Sequence, residues 1–503
     1  MSSPTTTTQV DVLIVGAGIS GIGAAYHLKS SSPGTTFAVL EGRDAIGGTW
    51  DLFRYPGIRS DSDMPTFGFA HKPWTHRNSI SEARFILDYL HETVRENDLE
   101  RHIHFGHRVL SADFSTETGR WTVTARRGDE AGEVVEFSAK FLFSGTGYYD
   151  YAAGHTPDFA GIEDYTGTVV HPQHWPEDLD YTGKKVVVIG SGATAVTLIP
   201  SMAGRAEHVT MLQRSPSYVL SLPAADPIAN LLNRVLGADR AYSIIRHKNI
   251  RQQRAIYKFC QRFPKLARRL LMADVRRRLP EGYDVDTHFG PRYNPWDQRL
   301  CMVPNGDLFT AISSGGASVV TDRIDRFTPT GIRLESGAEL EADIVVTATG
   351  LNIMPLGGIG LSVDEAPVEL SDTMVFKSMM LSGVPNFAFA IGYTNSSWTL
   401  KVDLVCEHLC RLLEHMAATG QDTVVPVLDD ADQERGPLLD LSSGYVQRRI
   451  AAFPKAGTRG PWTAQHAYEQ DVERLRRGPV EDPALRFASR RPVAAAPAPA
   501  GSS

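Results

Sequence analysis

Residues 10–28, "VDVLIVGAGISGIGAAYHL", constrain the fold more than any other stretch. An apolar strand runs into Gly16-x-Gly18-x-x-Gly21 and then into a helix-spaced segment. Glycines at this spacing let the backbone turn tightly and approach a pyrophosphate at the helix N-terminus. A second apolar strand, "TTFAVLEGR" (35–43), ends at Glu41, placed to accept hydrogen bonds from an adenosine ribose. The unit recurs at 184–202, "KKVVVIGSGATAVTLIPSM", with Gly190-x-Gly192-x-x-Ala195 and Thr194 inside it. Its second strand, "HVTMLQRSP" (208–216), ends at Arg214 and Ser215. An acid at that position repels a 2′-phosphate, whereas an arginine attracts it. The first site therefore suits a dinucleotide without that phosphate, and the second suits NADP(H).

Two such sites in one chain imply an electron path from NADPH to a flavin, with FAD in the first unit. The expected fold class is α/β: two nested Rossmann-like dinucleotide-binding domains, for FAD and NADPH, with a helical insert. Two strand-to-glycine segments, "FLFSGTGYY" (141–149) and "ADIVVTATGLN" (342–352), mark the crossovers between them. The expected division is 1–147 and 351–490 for FAD, 148–217 and 291–350 for NADPH, and 218–290 for the insert. Residues 491–503, in an Ala/Pro-rich tail, are expected to be disordered.

Other features narrow the function. No redox cysteine pair follows the first glycine loop, and Cys406 and Cys410 are four apart on a helix-like segment, which points to packing. A disulfide reductase is thus disfavoured, and dioxygen is the obvious electron acceptor. Four cysteines in 503 residues, and an N-terminus "MSSPTTTTQV" unlike a signal peptide, suit a cytoplasmic protein. The formal net charge of −7 argues against bulk nucleic-acid binding. One segment departs from that balance: 246–278 holds a single acid, Asp274, among many Arg and Lys. It reads either as a solvated helical pair or as a surface for anionic lipid or an anionic cofactor, which would allow peripheral membrane contact.

Between the two units stands "YTGTVVHPQHWPED" (165–178). His171 and His174 have ligand-like spacing, but no set of cysteines or carboxylates completes a metal site, so none is expected. The pattern Gly167-x-x-x-His171-x-x-x-Trp175-Pro176 resembles the fingerprint of class B flavin monooxygenases, and its Trp-Pro ending resembles the Baeyer–Villiger branch. Tyr165 stands where that family usually has Phe, and Pro172 where Thr is common. The stretch "GGTWDLFRYPGIRSD" (47–61) is similar to the second mark of that branch. Nearly the whole chain resembles the ethionamide-activating subgroup.

The resemblance implies FAD, NADPH and insertion of one oxygen atom of O2 into a hydrophobic ketone, or oxygenation at sulfur in thioethers and thioamides, through a C4a-peroxyflavin. It implies flavin contacts at Gly48, Thr49, Trp50, Asp61 and Val109. It makes Arg299 the catalytic cation and Asp61 its partner, and it places Gln298 where many relatives carry a phosphate-binding Lys. The segment "GYTNSSWTLK" (392–401), with Ser396 and Trp398, aligns with the family's substrate loop. Two rival readings are an N- or S-oxygenating flavin monooxygenase, and a non-oxygenating redox-sensing flavoprotein or NADPH oxidase. The sequence specifies no oligomeric state.

Overall fold

The computed structural model describes residues 8–298, 300–429, 433–439, 441–464 and 466–489; Arg299 and the 491–503 tail lie outside them. The chain opens with β1 (Thr8–Val15), α1 (Ile19–Ser31) and β2 (Phe37–Leu40). After α2 (Ala83–Glu96) come β3 (His107–Ser115), β4 (Arg120–Arg127) and β5 (Glu133–Ser144). A second unit follows with β6 (Thr168–Val170), β7 (Lys185–Ile189), α3 (Ala193–Met202) and β8 (His208–Gln213). Three helices then run in series: α4 (Pro227–Leu236), α5 (Ala238–Arg262) and α6 (Pro264–Arg278). The chain returns through β9 (Ala317–Thr321) and β10 (Ile344–Thr347), then β11 (Phe387–Phe389) and α7 (Trp398–Thr419).

Two sheets result. In the first, β2, β1, β5 and β11 pair in parallel, and β3 and β4 extend it antiparallel beyond β5. In the second, the order is β9-β8-β7-β10-β6, all parallel. The second sheet's strands fall between β5 and β11 of the first, so one α/β unit is inserted into the other. Parallel strands covered on both faces read as unbroken apolar runs. The last four residues of β1 and the whole of β10 are buried accordingly. Helix α1 is apolar around most of its circumference because the sheet covers one side and α7 the other; a Cβ on Gly23 would sit 3.2 Å from Val402. Both strands that were expected to end in a sensor residue stop one residue earlier, at Leu40 and Gln213. Glu41 and Arg214 thus sit on the loops just past the strand ends, where ligands bind in open α/β sheets.

The insert follows local rules. Asp226 caps α4 by accepting from Ile228 and Ala229 N–H at 2.9 and 3.1 Å, and Pro227 occupies the first turn. Gly237, at φ +77°, ends α4. Pro264 forces the break between α5 and α6, with Phe263 in a non-helical conformation. One expectation is corrected here: Arg246, at the start of the basic segment, is not part of a solvated face. Its side chain is buried, donates to the carbonyls of Pro65, Thr66 and Gly68, and pairs with Asp403 at 3.1 Å. A buried guanidinium needs that many acceptors to offset lost hydration.

Asp403, on α7, also takes Ala70 N–H at 3.1 Å and faces His27 Nε2 at 3.4 Å. Burial works to raise its pKa, but His27 and Arg246 outweigh that and hold the carboxyl below its usual range. His71 stands in the same cluster, stacked on Tyr26 with ring centroids 3.3 Å apart, and neither ring nitrogen has a hydrogen-bond partner among the described residues. Burial pushes its pKa down to about 3. The folded protein therefore holds His71 neutral, whereas the unfolded chain protonates it near pH ~6.5. Its contribution to stability is intact above that pH and is lost as pH falls toward 3. From about pH 7 to about pH 5 the loss should be about 2 kcal/mol. Urea unfolding of wild type and His71→Gln at both pH values should show the wild type losing more by roughly that amount. Equal losses would mean that His71 carries a proton in the fold.

Candidate functional site

The two glycine loops are built alike. A Cβ on Gly21 would lie 1.7 Å from the Gly16 carbonyl oxygen, and one on Gly145 would lie 2.9 Å from the Gly21 amide nitrogen. In the second unit, a Cβ on Gly190 would lie 2.3 Å from the Ala348 carbonyl oxygen. Each crossover thus passes directly over a glycine loop, and only glycine admits that approach. Ala195, at the position matching Gly21, is fully buried and tolerated. Helices α1 and α3 begin at Gly18 and Gly192 with no side-chain cap. No other atom comes within 4 Å of a Cβ built on Gly192, so that helix start faces a cleft. Uncapped helix N-termini carry unpaired N–H groups and partial positive charge, which suits a pyrophosphate. Glu41 secures the first loop: its carboxylate accepts from Ala17 N–H at 2.7 Å and from Arg43 N–H at 2.9 Å. Burial pushes its pKa up, against the pull of those two amides.

A first cleft opens over α1, lined by Gly18, Gly48, Thr49, Trp50, Asp61, Tyr148, His171, Ser396 and Trp398. Thr49 Oγ1 and Tyr151 OH are 3.2 Å apart, and Trp50 meets Phe67 edge to face at 5.5 Å. Trp398 donates its Nε1–H to Ser20 at 2.8 Å and stacks on Tyr148 at 5.4 Å. Trp398 was expected on a loop, but it opens α7, with Ser397 before it as the N-cap residue. Helical placement gives this ring a fixed direction into the cleft. The 47–61 stretch adds an ion-pair chain: Arg43 and Arg54 grip the buried Asp51 at 2.5 and 2.8 Å, and Arg54 reaches Glu177 at 3.2 Å.

A second cleft lies beside α3, lined by Gly190, Gly192, Arg214, Ser215 and Gln298. Arg323 and Arg448 line it too, so three guanidinium groups surround it. Asp61, Tyr149, Ala193, Thr194, Ala348, Gly350 and Leu351 line both clefts, so the two clefts meet at a shared wall. Tyr55, buried below that wall, has its pKa pushed up to about 12 by burial and hydrogen-bonds to Thr194. Gln298 and Leu300 flank Arg299 and line the second cleft, while Arg299 itself lies outside the described residues.

The 165–178 stretch links both crossovers. His171 Nδ1 accepts from Gln173 N–H at 3.1 Å, and its Nε2 faces the Gly350 carbonyl at 3.3 Å. Buried Gln173 donates to the Asp150 carbonyl at 2.8 Å, and His174 faces that of Ala152 at 3.1 Å. Desolvation lowers the His171 pKa, which favours the neutral ring that these contacts use. The Tyr165 hydroxyl donates to the Ala342 carbonyl at 2.9 Å, a bond that a phenylalanine there lacks. A Cβ on Gly167 would strike that same hydroxyl at 2.3 Å. Trp175 packs partly buried against the second unit's core, and Pro176 leads out of the stretch.

Val109 is separate from both clefts: it sits in β3 with its side chain in the apolar cluster on Leu13 and Leu40. Three lining residues were not anticipated. Arg59 pairs with Asp307 at 2.5 Å and keeps its other terminal nitrogen buried without a partner among the described residues, at the first cleft. Its signal was present, two residues before Asp61 inside an already singled-out stretch. Tyr151 and Arg448 carry no local signal, since tertiary folding alone brings them in.

A family model described as flavin-binding monooxygenase-like matches residues 9–356. The "FAD-containing monooxygenase EthA" of Mycobacterium tuberculosis (strain ATCC 25618 / H37Rv) is 53% identical over 496 residues, covering 98% of this chain and 100% of the relative. The "Probable FAD-binding monooxygenase AlmA" of Acinetobacter baylyi (strain ATCC 33305 / BD413 / ADP1) is 49% identical over 481 residues, covering 95% and 96%. Among solved structures, a steroid monooxygenase bound to NADP superposes with TM-score 0.75 at 22% identity, covering 96% of this chain and 100% of that one. An ε-caprolactone-bound cyclohexanone monooxygenase gives 0.75 at 20% identity with the same coverage. With these matches spanning the two nested units and the stretch that joins them, the chain belongs to the flavin-binding monooxygenase-like family.

Proposed function

We propose that this chain is an FAD- and NADPH-dependent Baeyer–Villiger monooxygenase. It converts a hydrophobic ketone, O2, NADPH and a proton into an ester or lactone, NADP⁺ and water, and it also oxygenates sulfur in thioethers and thioamides. The observation that carries this reading is the shared wall: Asp61, Tyr149 and Thr194 border both clefts, so two cofactors seated on α1 and α3 would meet there. FAD takes the first cleft, held by the 16–21 loop, Glu41 and the 47–61 stretch. NADPH takes the second, with Arg214 at its 2′-phosphate. Residues 1–147 and 351–490 form the FAD domain, and 148–217 with 291–350 form the NADPH domain. The reduced flavin supplies the activation of oxygen. The protein supplies charge, orientation and dryness. Arg299 serves as the fixed cation, Asp61 aims it, and the Trp398–Tyr148 stack makes an apolar wall for the ketone. Product identification by mass spectrometry with a ketone and a thioether, alongside NADPH consumption, tests the reading. NADPH oxidation that yields only peroxide with every substrate would overturn it.

Two variants test the assignments. Arg214→Ala removes one charge-assisted phosphate contact, worth about 1.5–3 kcal/mol. The preference for NADPH over NADH, as a ratio of kcat/KM values, should shrink by roughly tenfold or more. An unchanged ratio would move the 2′-phosphate to another cation.

Arg299→Ala should lower ester yield by ~10²-fold or more. NADPH should still be consumed, its electrons leaving as hydrogen peroxide. Arg299→Lys should rescue poorly, because a point charge lacks the guanidinium's fork of donors. Near-native ester per NADPH in the alanine variant would remove Arg299 from the mechanism.

A further inference from the structure

Among the described residues, most large apolar side chains that stand well exposed belong to one region. All but Val134 and Val169 lie on α4–α6. On α4, Ile228, Leu231 and Val235 are 55%, 60% and 68% exposed; at α6, Phe263, Leu266 and Leu270 are 51%, 46% and 55% exposed. Both triplets have i, i+3, i+7 spacing: the first forms a stripe on α4, and in the second Leu266 and Leu270 share a face of α6 just after the N-cap residue Phe263. Neither stripe is the face that the fold uses. Ala229 packs with Ala241 and Ile245 of α5, and Met272 and Val275 pack into the second unit's core. Helix α6 is thus apolar on two sides, and water faces one of them.

Charge is arranged around that stripe. Arg262, Lys265 and Arg269 are exposed beside Phe263, Leu266 and Leu270. They carry no ion pair among the described residues, whereas Arg276 and Arg277 pair with Asp286 and Asp274. Of the twelve Arg and Lys in 246–278, Arg246 is buried on Asp403 and Lys248, Arg254 and Arg276–Arg278 are ion-paired, which leaves the net positive charge around the stripe, in a chain of formal net charge −7. The molecule is therefore polarised, with a cationic apolar patch on an otherwise acidic body.

We propose that the apolar stripe at the start of α6, with Arg262, Lys265 and Arg269 around it, is an in-plane docking surface for an anionic lipid bilayer. Apolar side chains flanked by Arg and Lys on an exposed helix suit the interface between headgroups and acyl chains. No helix among the described residues is long and apolar enough to cross a membrane, so the contact lies on one leaflet. A second copy of the chain is disfavoured as occupant, since two faces of this charge repel. Nucleic acid would match the charge but leaves the apolar stripes in water. The surface lies outside the two clefts and stands independently of the reaction assigned above.

Co-sedimentation of the full-length holoenzyme with phosphatidylcholine vesicles, with and without about 30% phosphatidylglycerol, tests the proposal. Binding should require the anionic lipid and weaken between about 50 mM and about 500 mM salt. The triple variant Phe263→Ser, Leu266→Ser, Leu270→Ser should lower the partition coefficient by roughly tenfold or more. Its substrate-free NADPH oxidation in solution should stay at the wild-type rate, which shows that it is folded. The charge variant Lys265→Glu, Arg269→Glu should lose most of the phosphatidylglycerol dependence. Several results would overturn the proposal: no vesicle binding by the wild type, binding indifferent to lipid charge, or undiminished binding by the folded triple variant. So would wild-type dimers that the triple variant dissolves without any change at vesicles, or a preference for duplex DNA over vesicles.

Discussion

The close passage of two crossovers over two glycine loops governs the rest of the molecule. At Gly145 against Gly21, and at Ala348 against Gly190, backbone meets backbone with no room for a side chain. These contacts fix where each strand exits its sheet, and the strand exits define the floors of both clefts. They also make the nested topology workable. The chain leaves the first unit just after β5 and comes back just after β10, so the two connections run side by side. Residues 148–155 and 349–353 are cross-linked through Asp150 N–H to Asn352 O at 2.9 Å and His155 N–H to Gly350 O at 3.0 Å. Two dinucleotide units that share such a junction can hold two cofactors at one wall, which no linear pair of domains on a loose linker does.

Buried charge anchors the parts that glycine contacts do not reach. Lys401 and Asp471 pair at 2.5 Å under full burial, and Tyr393, at the edge of the first cleft, donates to the same carboxylate at 2.7 Å. Arg246 and Asp403 do the same between α5 and α7. Breaking such a pair by removing one partner typically costs about 3–5 kcal/mol. The helix carrying Trp398 is therefore pinned twice along its first turns, at Lys401 and Asp403. A ring that lines the first cleft gains a fixed orientation from that rigidity.

Much of this was legible in the sequence, because the relevant signals are local. Glycine spacing, the strand before it and the residue after the second strand all lie within one βαβ unit. Gly16, Gly18, Gly21, Gly190, Gly192 and Arg214 accordingly line or shape the clefts. Residues such as Arg59, Tyr151 and Arg448 were not legible, since their roles arise from chain segments far apart. Arg246 shows the opposite failure. A charge run reads as solvated from composition, yet the carbonyls of Pro65, Thr66 and Gly68, some 180 positions away, create a buried acceptor cage for it. Trp398 shows a third kind of limit: Ser and Asn before it read as loop, while the helix starts one residue after Ser397.

The 165–178 stretch owes its form to main-chain carbonyls on either side of it. His171 and His174 point their ring nitrogens at main-chain carbonyls of the two crossovers, and Gln173 does the same from a fully buried site. A neutral imidazole is required for His171 to accept from Gln173 while facing Gly350, and burial keeps it neutral. Glu177, through Arg54 and Asp51, connects the end of the stretch to the loop beneath the first cleft. Asp150, Ala152 and Gly350 belong with the stretch to the second unit, so of these contacts the Arg54–Glu177 pair is the one that reaches into the first. The stretch thus braces both connecting segments from one side. Proline at 172 and 176 removes backbone freedom at both ends of the histidine pair, which lets so short a segment carry that load.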